Sequence, residues 1–166
     1  MIILVVGNFG VGKDTFADFM LKYLPESIKI KSFTTREPRF DGEDTHIFTT
    51  PDKFPENPLA YIDIEGVLYW TSQSQFDKTK NNIYVIDDCG LKQVMESDFD
   101  NYIIIEIVRP KSLIDVDEER LSRKKNCSFN YTPFVNFTVI NDDTLEKLEE
   151  KASKISKVIS SMNSLF

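Results

Sequence analysis

The chain has 166 residues, enough for a sizeable core, and 41% of them are hydrophobic, which excludes a disordered polypeptide. A net charge of -7 argues against a general nucleic-acid binder, whose surface would be basic. Cys89 and Cys127 lack metal-type spacing and read as free thiols, the default of a reducing cytosol, so a cytoplasmic protein is expected.

The opening run MIILVV has no basic segment before it and reads as a core strand over Ile2 to Val6, not as a signal peptide. No apolar run approaches the length of a membrane span. The strand leads directly into GNFGVGKDT, Gly7 to Thr15, and then into Phe16, Phe19, Met20 and Tyr23 at helical spacing. Strand, glycine-rich loop and helix is the setting of a phosphate-binding P-loop. Gly7, Gly10 and Gly12 permit a tight turn and close approach to an anion. Amides from Gly10 through Val11, Gly12, Lys13 and Asp14 to Thr15 can point at phosphate oxygens, helped by the helix N-terminus. Lys13 adds a mobile charge for the outer phosphates. The usual motif has Ser or Thr after the lysine, as a Mg²⁺ ligand. Here Asp14 fills that slot and Thr15 follows, and a carboxylate also suits Mg²⁺. The Gly-x-Gly-x-x-Gly dinucleotide fingerprint does not fit, because Phe9 occupies its second glycine.

Pro25 and Ser27 mark a break, and Ile28 to Phe33 alternates as a strand. TTREPRFDGED then reads as a loop carrying Arg36 and Arg39, whose forks suit a phosphate or carboxylate. Most such stretches are simply solvated.

SFTTREPR followed by GEDTHIF resembles the nucleotide-binding segment of guanylate kinases. GVLYWTS resembles that family's Gly-Asn-Tyr-Tyr-Gly-Thr/Ser segment, VIDDCG its strand ending in aspartate, and FTVIND its late strand ending in Asn-Asp. The pieces occur in the family's order over most of the chain. The Gly-Lys-Asp-Thr ending of the P-loop resembles instead the deoxynucleoside monophosphate kinases of viral type.

The resemblance implies roles. Ser32, Arg36 and Arg39 would hold the acceptor phosphate, with Tyr69 donating its hydroxyl to it and Thr71 touching phosphate or base. His46, the single histidine, falls where the family has a phosphate-binding tyrosine. Counting back from Tyr69 puts Ala60 where guanylate kinases carry a guanine-reading glutamate, with Asp63 and Glu65 nearby as substitutes. Asp87, and less directly Asp88, would stand on the acceptor side and order Mg²⁺-bound water; on its own, Asp87 reads equally as the N-cap of a helix over Gly90 to Met95. Asp14, Thr15 and Asp87 are thus the candidate metal residues.

Tyr102 to Val108 is the most strand-like run and is expected centrally. Ser112 to Lys125 reads as a helix capped by Ser112 and ending in RLSRKK. The resemblance puts the lid here, with Arg120 and Arg123 as its arginines, Lys124 and Lys125 as weaker candidates, and a shorter segment after them than guanylate kinases have. Phe134 to Ile140 reads as the last strand; the resemblance places Asn141 near the adenine of ATP. From Thr144 on, Leu145, Leu148, Ala152, Ile155, Val158 and Ile159 form the apolar stripe of a closing helix.

These elements give an α/β, three-layer P-loop NTP hydrolase/kinase fold with a mainly parallel sheet, in one domain over 1–166. The core would be 1–32, 81–122 and 134–166, with an acceptor-binding segment at 33–80 and a short lid at 123–133. The implied activity is a nucleoside monophosphate kinase using ATP and Mg²⁺ on GMP, dGMP or another (deoxy)nucleoside monophosphate. It would act as a monomer or homodimer, without nucleic-acid or membrane partners. Two other readings remain open at this point: a P-loop kinase of another phosphorylated small molecule, and a non-catalytic guanylate-kinase-like binding module.

Overall fold

A computed structural model describes residues 1–114 and 129–163. Its main sheet is all parallel and combines β1 (Ile2–Val6), β2 (Ser27–Ile30), β7 (Asn81–Val85), β8 (Tyr102–Val108) and β9 (Phe137–Ile140) in the order β2-β7-β1-β8-β9. β1 is the central strand because all five of its residues are apolar and all are buried. A strand with helices on both faces has no solvent side, so its sequence runs apolar without alternation. β8 lies beside it, as its own run Ile103 to Ile105 requires.

Two cores result. On one face, α1 (Lys13–Tyr23) and α3 (Leu145–Asn163) cover Ile3, Val5, Ile103, Ile105 and Ile107. On the other, α2 (Asp88–Glu96) brings Leu91 and Val94 onto Leu4, Val6 and Ile104. Adjacent strand positions alternate between these cores, the period-2 geometry of a strand. In α3 the expected stripe holds in its middle, where Leu148, Ala152 and Ile159 are buried, but Leu145 and Val158 are exposed at its margins.

A second sheet, β4-β3-β6-β5, projects from the main one. It is built from β3 (Phe33–Thr34), β4 (Ile47–Phe48), β5 (Ala60–Ile64) and β6 (Val67–Thr71). The single strand expected over Ile28 to Phe33 is therefore two. Main-sheet pairing ends at Ile30, and Phe33 pairs with Trp70 in the smaller sheet. β5 and β6 form a hairpin whose two-residue turn, Glu65 and Gly66, has positive φ at both positions (54° and 85°). That backbone matches the right-handed twist of the strands it joins.

Two other boundaries differ from expectation. Ser112 lies inside a short 3-10 turn, Lys111–Leu113, and Ile114 is extended, so Ser112 caps no helix. The rest of the expected helix, to Lys125, lies outside the described residues, as does most of the expected lid. β9 starts at Phe137 because Thr132–Phe134 forms a 3-10 turn with Pro133 in its first turn.

Candidate active site

The P-loop connects β1 to α1 at the C-terminal end of the central strand. Its shape demands glycine at two places. Gly7 has φ 140°, and a Cβ there would stand 2.3 Å from the Ile107 carbonyl oxygen. Gly12 has φ 95° and forms the N-cap of α1, where a Cβ would stand 2.8 Å from Asn141 Nδ2. No side chain caps this helix. Its first amides thus face outward, the arrangement that binds anions at helix N-termini. Lys13 folds back over the loop and donates from Nζ to the Asn8 carbonyl at 2.9 Å.

Asn141 is buried and donates from Nδ2 to the Val11 carbonyl at 2.9 Å, while its own amide reaches Val108. It therefore braces the P-loop from β9. Its Nδ2 is thereby committed to the loop backbone.

Asp14 opens the exposed face of α1. Lys29 on β2 reaches both Asp14 (3.2 Å) and Asp18 (2.8 Å), one helical turn apart. Lys29 is itself only 19% exposed, while Asp14 is 74% exposed. The two carboxylates hold the lysine's pKa above its ordinary value despite the opposing effect of burial. Nothing in residue spacing pointed to Lys29; its role comes from β2 lying beside α1.

The arginine loop folds around Glu43, a residue that the sequence reading did not single out. Glu43 is buried. It accepts from Arg36 Nη2 at 2.7 Å, Arg36 Nη1 at 3.2 Å, the Arg39 amide at 2.7 Å and the Thr45 hydroxyl at 2.8 Å. The Arg36 guanidinium leads the causes that hold its carboxyl down to about 2. The usable signal was a glutamate seven residues from Arg36 in a loop rich in donors. Arg36 also lies over the Phe48 ring, 5.2 Å from its centroid. Its Nε is buried with no protein partner, as is Nδ1 of His46. His46 packs edge-on to Tyr69 (5.5 Å between centroids), and Tyr69, after Glu43, helps hold the Arg36 pKa up. Burial, followed by the Arg36 charge, pushes the His46 pKa below its ordinary value.

Arg36, His46 and Tyr69 are thus brought together, with two buried nitrogens, Arg36 Nε and His46 Nδ1, left without a protein partner. Arg39 contributes its amide to Glu43, while its side chain is exposed. Ser32 ends the link from β2 to β3, and its carbonyl accepts the Ile47 amide. Thr71 is fully buried, and its hydroxyl lies 2.9 Å from that of Tyr84. Asp87 caps α2 by accepting the Gly90 amide at 2.8 Å. Asp87, Asp88 and Cys89 each offer a ligand atom within 4.8 Å of one another. A thiol is a poor Mg²⁺ ligand, so the hard donors of this end are Asp87 and Asp88. Asp63 and Glu65 do not replace a carboxylate at position 60. Asp63 points to the face opposite Ala60 and accepts the Gly66 amide, and Glu65 forms the hairpin turn. Arg120, Arg123, Lys124 and Lys125 lie outside the described residues. A separate hollow, lined in part by Met1, Asn101 and Ser160, opens at the N-terminal edge of the strands, opposite the P-loop.

No family model matches the chain. A guanylate kinase of Clostridium perfringens strain SM101 is 28% identical over 177 aligned positions, spanning 90% of this chain and 81% of its own. The guanylate kinase of strain ATCC 13124 matches with the same identity and coverage. The chain is thus similar to guanylate kinases over most of its length. A solved structure of the Anaplasma phagocytophilum guanylate kinase shares this chain's fold, with a TM-score of 0.67, 22% identity, and coverage of 98% of this chain and 85% of that one. Among the described residues no helix is long and apolar enough to cross a membrane.

Proposed function

We propose that this chain is an ATP-dependent nucleoside monophosphate kinase that phosphorylates GMP, dGMP or another (deoxy)nucleoside monophosphate. One observation carries the reading. The uncapped N-terminus of α1, with Lys13 folded over its loop, is a ready seat for phosphates, and the 33–80 segment gathers Arg36, His46 and Tyr69 into a second cluster suited to an anion.

In this reading the amides from Gly10 to Thr15 cradle the ATP phosphates, and Lys13 leaves the Asn8 carbonyl for the outer ones. Asp14, Thr15 and Asp87 supply hard oxygen donors that fit Mg²⁺, which when bound neutralises charge on the outer phosphates. Arg36, held in place by Glu43, brings its guanidinium charge to the acceptor phosphate. His46 and Tyr69 complete that seat, and Ser32 and Arg39 border it. The terminal phosphorus of ATP breaks its bond to the bridging oxygen and forms one to an acceptor-phosphate oxygen, leaving ADP and a nucleoside diphosphate. Positioning and charge neutralisation lower the barrier, with no covalent enzyme intermediate. Arg120 and Arg123 would cover the transferred group. The chain works as one unit, with 33–80 holding the acceptor.

A coupled assay with Mg²⁺–ATP against a panel of nucleoside monophosphates tests this. Transfer to at least one is expected, and transfer to none rejects it.

A further inference from the structure

The P-loop motif carries a neutral hydroxyl directly after its lysine. This chain carries the Asp14 carboxylate there, on the first turn of α1. A carboxylate at a helix N-terminus is itself attracted to the positive end, so it competes with phosphate for that end. It also places a negative charge beside a seat for a triphosphate, whose own charges it repels. In the reading above Lys13 goes to the outer phosphates, so a seat with Asp14 in this slot calls for a second cation.

Lys29 is placed to be that cation. On β2 its neighbours Ile28 and Ile30 turn to the core on the α2 side. Successive strand residues alternate, so Lys29 turns to the opposite face, where α1 packs. Its Nζ stands 3.2 Å from Asp14 Oδ1 and 2.8 Å from Asp18 Oδ1. Lys29 is mostly buried, whereas both carboxylates face solvent. The bond to Asp18 alone would tie α1 to β2. The reach to Asp14 goes further and puts a positive charge against the altered slot of the motif. No side chain caps α1, so its first amides stay available to an anion.

Resting on the donor half of the kinase reading, we propose that Lys29 is a positioning residue of the ATP seat: it cancels the Asp14 charge and holds that carboxylate on the β2 side of α1. The Asp14–Lys29 pair then stands in for the neutral hydroxyl of the usual motif. When Mg²⁺ accompanies the nucleotide, the ion supplies part of the same neutralisation. Lys29 therefore matters most for the metal-free nucleotide.

The test is ATP binding by calorimetry, in EDTA and in excess Mg²⁺, on the full chain without acceptor. Lys29→Met keeps an unbranched stem of similar length and removes the charge. It strands no buried carboxylate, since Asp14 and Asp18 are exposed. Affinity in EDTA should fall about tenfold or more, while affinity in Mg²⁺ stays within about threefold of the wild type. Adding Asp14→Asn to Lys29→Met should return the EDTA affinity to within about threefold of the wild type. A lysine that merely holds the fold would weaken binding alike with and without metal, and Asp14→Asn would not rescue it; either result overturns the proposal. Unchanged EDTA affinity in Lys29→Met overturns it too, as does wild-type binding that vanishes in EDTA. A wild type that binds ATP but phosphorylates no monophosphate defeats the kinase reading alone, and the role of Lys29 is then decided by the binding data. A wild type that binds no ATP defeats both.

Discussion

Glu43 accepts from both terminal nitrogens of Arg36, at 2.7 and 3.2 Å, and also from the Arg39 amide. One carboxylate thereby sets the rotamer of one arginine and the backbone path leading to the other. Arg36 Nε stays buried without a protein partner. Glu43→Gln keeps the shape and removes the charge, so the fork is no longer held. The expected outcome is a rise of about tenfold or more in KM for the acceptor with a smaller change in KM for ATP, read by steady-state kinetics.

The same residue makes stability depend on pH. Its carboxyl is held at about 2 in the fold, against 4.5 unfolded. Between those values the unfolded chain binds more protons, so stability present above pH 4.5 is lost as pH falls toward 2. Urea melts at pH 5.5 and pH 3 should show a smaller loss in Glu43→Gln than in the wild type. An equal loss in both would remove Glu43 as the source.

His46 acts in a higher window. Burial and Arg36 depress its pKa below the ordinary 6.5, so the fold prefers neutral imidazole. The unfolded chain then binds the extra proton first as pH falls, and stability present above 6.5 declines below it. The difference in urea midpoint between pH 7.5 and pH 5.5 should shrink in His46→Gln. The Glu43 window lies lower, so the two effects separate.

Lys13 Nζ donates to the Asn8 carbonyl at an exposed position. Its loss should leave stability within about 0.5 kcal/mol. Turnover in Lys13→Ala should fall by at least about 10²-fold, the scale of removing one preorganised donor from a developing charge. Wild-type-like turnover would exclude the role assigned to Lys13.

Asn141→Ala removes the amide that satisfies the Val11 carbonyl in a buried setting. The cost to stability should be about 1–3 kcal/mol, the range for a stranded buried acceptor. Calorimetry should show weaker ATP binding as the loop loosens. If Asn141 instead only touched adenine, nucleotide affinity would fall with stability unchanged.

Local pattern was enough for much of this molecule. An unbroken apolar run, three glycines and a lysine marked β1, the P-loop and α1, because strand burial, positive φ and helix periodicity are each set by a few neighbouring residues. The order of the TTREPR, LYWT and VIDD segments was equally legible. What lay beyond local reading is whatever depends on partners distant in the chain. Arg36 was legible as an acceptor-phosphate candidate only through the family resemblance, and only the folded loop showed Glu43 occupying its fork. Asn141 looked like a base contact, and only the adjacency of β9 and the P-loop gave it the Val11 carbonyl. Lys29 carried no signal at all: it is a lysine on a short strand. Its meaning comes from β2 beside α1. Hydrogen bonds and ion pairs act over about 3 Å, and which side chains come that close is decided by strand order and register, not by position along the chain.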